Sequence, residues 1–117
     1  MLRPVIFLLT ILFTGVPGAA WAASDQIPRD RTVVAIMTYD NYAVVQFSPA
    51  FANNLACGGS VQNTHVALLF DTNSHKKAQL ATVMMAMSLK QKIGFGLNGC
   101  FSWGGGIPTV YRVGVAD

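Results

Sequence analysis

Residues Thr64 to Lys90 read THVALLFDTNSHKKAQLATVMMAMSLK, and three signals follow one another along them. Thr64 to Phe70 is a short, mostly apolar run, which predicts a strand buried on both faces at its centre. Asp71 to Ser74 (DTNS) is a helix-start signal, because Asx and Ser side chains accept hydrogen bonds from the first unpaired N–H groups of a helix. From His75 to Lys90 the period changes: Leu80, Val83, Met84 and Met87 fall at i, i+3, i+4 and i+7, which is one helical face. Ala78, Ala81 and Ala86 favour the helix and permit close packing, and no Gly or Pro interrupts it. Met84, Met85 and Met87 read as filler of irregular core gaps rather than as a soft binding groove.

Strands flank this unit on both sides. Thr32 to Tyr39 (TVVAIMTY) and Tyr42 to Phe47 (YAVVQF) are rich in β-branched and aromatic residues. Asp40-Asn41 between them is turn chemistry, so 32–47 predicts a β-hairpin. Ser48-Pro49 ends it, since Pro donates nothing to a ladder. A longer connection, Ala50 to Asn63, carries Cys57 and Gly58-Gly59. After the helix, Lys92 to Leu97 (KIGFGL) reads as a fourth strand weakened by two glycines, and Asn98-Gly99 as a turn. Phe101 to Ile107 (FSWGGGI) is a Gly-rich loop, and Thr109 to Val115 (TVYRVGV) a last strand behind Pro108. The order is β-β-β-α-β-β without an internal repeat, hence an α+β, mainly β class and a single domain over 32–117.

The first residues read as an address. Arg3 is followed by an apolar run, Val5 to Phe13, then Pro17-Gly18 and Ala20-Trp21-Ala22. This is the layout of a secretory signal peptide over 1–22, cut after Ala22 with Ala23 as the second choice. The apolar core is about ten residues where a bilayer needs roughly 20, so no membrane span is expected. The protein is therefore expected to be secreted or periplasmic. Ser24 to Arg31 (SDQIPRDR) is polar and aperiodic, so 23–31 reads as a flexible leader.

Composition narrows function by exclusion. The 117 residues are 52% hydrophobic and 11% charged, too apolar for a disordered polyelectrolyte. There is no Glu, which removes a Glu pair or a Glu general base. The formal charge of +3 becomes +2 once Arg3 leaves with the signal, and no basic cluster argues for nucleic-acid binding. Lys76-Lys77 and Lys90/Lys92 read as solvated helix ends. Gly94 to Gly99 matches G-x-G-x-x-G in letters but has its helix before it rather than after it, so it is no dinucleotide fingerprint. Gly104-Gly105-Gly106 lacks the following Lys-Ser/Thr of a phosphate loop. His65 and His75 have no metal-site spacing and read as surface or capping residues. No cofactor and no catalytic signature is indicated, which points to a non-enzymatic protein.

Two constellations remain. Cys57 and Cys100 form an even pair in an exported chain, so a disulfide is the default; the alternative is Cys57 as a nucleophile with His65 as its base. Tyr39, Asp40, Asn41 and Tyr42 at the hairpin turn, with Phe101 and Trp103 beside the Gly loop, place aromatic faces next to amide and carboxylate groups. That combination suits sugar rings, whose C–H faces stack while hydroxyls hydrogen-bond. The plainer reading is that these rings close the end of a small core.

Taken together, the signal peptide, the two strands, Leu55-Ala56-Cys57-Gly58-Gly59, the third strand leading through Asn73-Ser74 into an Ala/Met-rich helix that ends in Leu89-Lys90-Gln91-Lys92-Ile93, then Asn98-Gly99-Cys100, the Gly-rich loop and Pro108-Thr109-Val110-Tyr111 form a pattern. It resembles the small secreted bacterial proteins similar to the B subunit of subtilase cytotoxin, over roughly 31–117. The resemblance implies a five-stranded, partly open OB-fold barrel with one helix between the third and fourth strands. It further implies a ring of five copies, recognition of cell-surface glycans, and a separate A subunit that carries the enzyme activity. The toxin's sugar pocket uses a tyrosine on the strand after the helix, where this chain has Phe95 and Leu97. It also uses a serine and an acid near the first strand, where only Asp30 and Thr32 compare. The competing expectation is a stand-alone periplasmic interaction or inhibitor protein that meets a protein partner through a sheet edge.

Overall fold

The computed structural model describes residues 24–70 and 75–116. The signal peptide over 1–22 and the helix-start signal at 71–74 lie outside the described residues. Among the described residues five strands and one helix follow in order: β1 (Ser24–Thr38), β2 (Tyr42–Ser48), β3 (His65–Leu69), α1 (His75–Leu89), β4 (Lys92–Phe101) and β5 (Ile107–Ala116), with a 3-10 turn at Trp103–Gly105 before β5. The chain is mainly β, with its helix between β3 and β4, as the order of signals predicts.

The strands hydrogen-bond in the order β1-β2-β3-β5-β4, and β4 pairs back onto β1, so the sheet closes on itself. An arrangement open at one side is therefore not what forms. Every pairing is antiparallel except β3 with β5, a short parallel contact registered at Ala67↔Thr109. Closure depends on the length of β1. Its second half pairs with β2 from Thr32↔Ser48 to Thr38↔Ala43, and its first half with β4 from Ser24↔Asn98 to Ile27↔Phe95.

The expected leader over 23–31 is thereby corrected: from Ser24 on it is the first half of β1. One apolar residue in that polar stretch anchors it, since Ile27 is only 3% exposed and joins the main core. Pro28 is accommodated because the ladder skips it. Pairing stops at Ile27↔Phe95 and resumes at Arg31↔Ile93, so Pro28, Arg29 and Asp30 together face Gly94. A Cβ on Gly94 would lie 2.5 Å from the Ile27 carbonyl oxygen, which is why the facing position has no side chain.

Inside the ring, Val33, Val45, Phe47, Val66, Leu68, Ile93, Phe95, Leu97 and Val110 form the main core, with the Phe47 and Phe95 rings 5.8 Å apart at its centre. Burying a side chain of this size contributes about 1.5–3 kcal/mol. α1 covers this core with Val83 and Ala86 alone. The reading of the methionines as core filler is also corrected: Met84 is 52% and Met85 56% exposed, and Met87 is exposed as well. The ring is small, and Ala86 brings the helix axis close, so the buried stripe is narrower than the apolar stripe of the sequence. A Schellman-type cap ends α1: Lys90 takes φ +57°, its N–H reaches Met87 O at 3.4 Å, and Gln91 N–H reaches Ala86 O at 2.9 Å.

A second, smaller apolar layer lies on the outer face of β2, β3 and β5. Val44, Ala67 and Ile107 are fully buried there beneath Tyr42, Val61, Leu69, Phe101 and Trp103. This makes β2 buried on both faces through Ala43–Val45.

Candidate functional site

The residues singled out around the hairpin turn and the Gly loop do come together. Tyr39 opens the β1–β2 turn, whose closing bond runs from Tyr39 N–H to Tyr42 O at 2.7 Å. The turn is tied to the end of β3 by Phe70 N–H, which donates to Asn41 O at 2.8 Å. With its backbone held at both points, the turn presents Asp40 and Asn41 to solvent.

The Tyr39 and Tyr42 rings stack, 4.5 Å between centroids and 20° between planes. Tyr42 in turn meets Phe101 edge-on at 4.8 Å and 61°. Trp103 closes the group from the other side, donating from Nε1 to the Tyr39 hydroxyl oxygen at 3.3 Å. Each such aromatic pair contributes about 0.5–1.5 kcal/mol beyond burial, so the face is held as a unit. Tyr42, Phe101 and Trp103 are half-buried and cap the outer apolar layer, which is the plainer role expected for them. Tyr39 differs: 41% of it is exposed, more than a capping role over that layer requires.

His65 also belongs to this face, at the start of β3, although nothing near it in sequence indicated so. Its ring stacks on Trp103 at 5.6 Å and 25°, and its Nδ1 lies 2.8 Å from Thr64 Oγ1. Burial lowers its pKa below the ordinary 6.5; the backbone bond at Val61 opposes that shift more weakly. The two residues are 38 positions apart in the chain, and the β3–β5 pairing brings the Gly loop over β3.

The Gly loop owes its shape to a backbone-to-backbone contact. Gly59 N–H donates to Gly106 O at 3.0 Å, and a Cβ on Gly106 would sit 2.0 Å from Cys57 O. Two positions before Gly59, Cys57 is joined to Cys100 of β4 by a disulfide with Cα atoms 5.5 Å apart. The connection that carries Cys57 is thus clamped to β4 by sulfur and to the Gly loop by bare backbone. Gly58-Gly59 and Gly104–Gly106, unexplained by any motif, are the two halves of that interlock.

Chemically, the face offers π-surfaces, a tyrosine hydroxyl, and an exposed carboxylate and amide. Both cysteines are consumed by the disulfide, so Cys57 is no nucleophile and His65 has no thiol to activate. Among the described residues no group of three or more His, Cys or Asp could hold a metal ion. Gly94 and Gly96 lie within β4, with no helix opening after them. No helix among the described residues is long and apolar enough to cross a membrane. Set against known proteins, the chain matches no family model, no curated protein and no solved structure.

Proposed function

We propose that the chain is a non-enzymatic binding module, secreted or periplasmic after loss of residues 1–22, whose aromatic face takes carbohydrate. The single observation that carries this reading is Tyr39: an exposed ring, stacked on Tyr42 and fixed through its hydroxyl by Trp103, beside the exposed Asp40 and Asn41. A ring already held flat costs little further ordering when a sugar stacks on it. The ring order β1-β2-β3-β5-β4 with a helix after β3 supports an OB-fold, whose loops and sheet face commonly carry oligosaccharide sites. The resemblance to toxin B subunits adds assembly into a ring of five and a separate A subunit.

A glycan array probed with the purified protein tests the reading. Binding that disappears in Tyr39→Ala, with the thermal transition retained, is the expected outcome; an array that stays blank overturns it. Native mass measurement tests the assembly, and a clean monomer at micromolar concentration removes the five-membered ring.

One observation favours a second reading, a protein partner. α1 turns Met84, Met85, Met87 and Leu89 to solvent. A closed ring leaves little sheet edge, so such a partner meets the helix rather than a strand. Substituting Met84 and Met85 by Lys abolishes that interaction and leaves sugar binding intact.

A further inference from the structure

The outward side of the β1–β4–β5 seam carries a second constellation, far in sequence from the hairpin turn. Gly94 and Gly114 face each other directly across β4 and β5. The bulged part of β1 runs over this bare pair, and the Arg29 stem lies along it. A Cβ on Gly94 would be 2.8 Å from Arg29 Cγ, and one on Gly114 would be 2.9 Å from Arg29 Cδ. The same point above Gly114 is 3.6 Å from Arg112 Nη1. Two arginines from distant parts of the chain therefore converge on one spot.

Among the described residues neither is neutralised. The described carboxylates next to this stretch of β1 have partners of their own: Asp30 pairs with Arg31, and Asp25 accepts from Gln26 N–H and from Asn54 N–H, each at 2.8 Å. Among the described residues, Arg29 and Arg112 make no ion pair. Arg112 is oriented all the same, because its Nη2 donates to Gln26 Oε1 at 2.8 Å, while Arg29 is positioned by its stem. Between them opens a cleft of about 360 Å³ lined by Gln26, Ile27, Pro28, Arg29 and Arg112. Two like charges that line one cleft with most of their donors unspent match an oxyanion, which two planar guanidinium forks can grip from two sides.

We infer that Arg29 and Arg112 form a binding site for an oxyanion group, a carboxylate, sulfate or phosphate carried by a ligand. The site stands independently of the sugar reading, since it shares no residue with the aromatic face. Its place on the bulge gives the irregularity of β1 a use: it lifts Arg29 across the glycine pair towards Arg112.

The test follows the guanidinium signals of the purified protein by NMR while sodium sulfate, sodium phosphate or sodium acetate is added, ionic strength being held constant with sodium chloride. Saturable shifts confined to the arginines at 29 and 112 are expected in at least one arm. A tetrahedral anion winning identifies a sulfate- or phosphate-bearing ligand, and acetate winning a carboxylate-bearing one. Arg29→Gln or Arg112→Gln weakens the winning anion by about ten- to a hundredfold, the loss of a charge-assisted contact. Lys77→Gln, which removes an exposed charge elsewhere, leaves it unchanged. Should Arg29→Gln not fold, Arg112→Gln carries the same comparison. Shifts that never saturate, that chloride reproduces, or that survive both arginine substitutions overturn the site.

Discussion

Replacing Gly106 by Ala tests the interlock beneath the aromatic face. Gly106 sits at φ +128°, ψ 115°, a region open in practice to glycine alone, and an alanine there is strained by about 1–3 kcal/mol. The new methyl would stand 2.0 Å from Cys57 O, where ordinary contact begins near 3.4 Å, so the two segments must part by more than an ångström. Parting them stretches the Gly59 N–H to Gly106 O bond beyond use, a further loss of about 0.5–1.5 kcal/mol. The total is about 3 kcal/mol, or roughly 12–24 °C in the melting temperature of a domain this size. Gly104→Ala is the matched comparison. Gly104 has φ +61°, and a Cβ there meets nothing closer than Val61 Cγ2 at 3.5 Å, so only the left-handed backbone penalty of about 1–2 kcal/mol applies. Thermal and urea unfolding of both variants, disulfide intact, measure the difference. Equal losses from the two would refute the steric interlock, and a Gly106→Ala loss under about 1 kcal/mol would refute the strain as well.

Three further outcomes follow from the same structure. Reducing the Cys57–Cys100 bridge, which spans 43 residues, lowers stability by about 3–4 kcal/mol in urea unfolding, and its cost falls short of additive with Gly106→Ala because both act on one clamp; an unchanged midpoint refutes this. Lys90→Gly relieves the left-handed residue that caps α1 and raises stability by about 0.5–1 kcal/mol in the same assay; a loss would refute the cap assignment. His65 has a folded-state pKa below the ordinary 6.5, so the unfolded chain takes up the proton first as pH falls. Stability therefore declines as pH drops through 6.5 and levels off once below the lowered folded value; melting curves of His65→Gln, measured against pH, lose that slope.

Much of the scaffold was legible because its signals are local. The Leu80/Val83/Met87 period, the β-branched runs of 32–47 and the Asp40-Asn41 turn each report on neighbours within a few residues, and α1, the second half of β1, β2 and the turn lie where those signals put them. What was not legible depends on partners distant in the chain. Nothing in SDQIPRDR marks Ile27 as a core residue until Phe95 is placed opposite it. The methionine stripe is apolar in sequence, but how much of it is covered depends on the width of the ring beneath. Of the site, Tyr39, Tyr42, Phe101 and Trp103 could be named from their nearness to turns, whereas His65 could not, its place being set by a ring 38 positions away. The glycines carried a signal of another kind. Five of them in two clusters fit no ligand motif, and glycine clusters without a ligand motif are a cue for close backbone approach.

The pairing of the first half of β1 with β4 also dictates when the molecule can finish forming. Residues 24–27 find their partners only at 95–98, and β3 finds its second neighbour only at 109. A nascent chain halted before position 92 can fold its β1–β2 hairpin and add β3, but its first residues have nothing to zip against. Closure of the ring therefore waits until β4 and β5 have emerged, and it closes a long loop, which costs more chain entropy than the local growth of α1. Until then the two ends of the ring stay apart, however well the strands between them have paired.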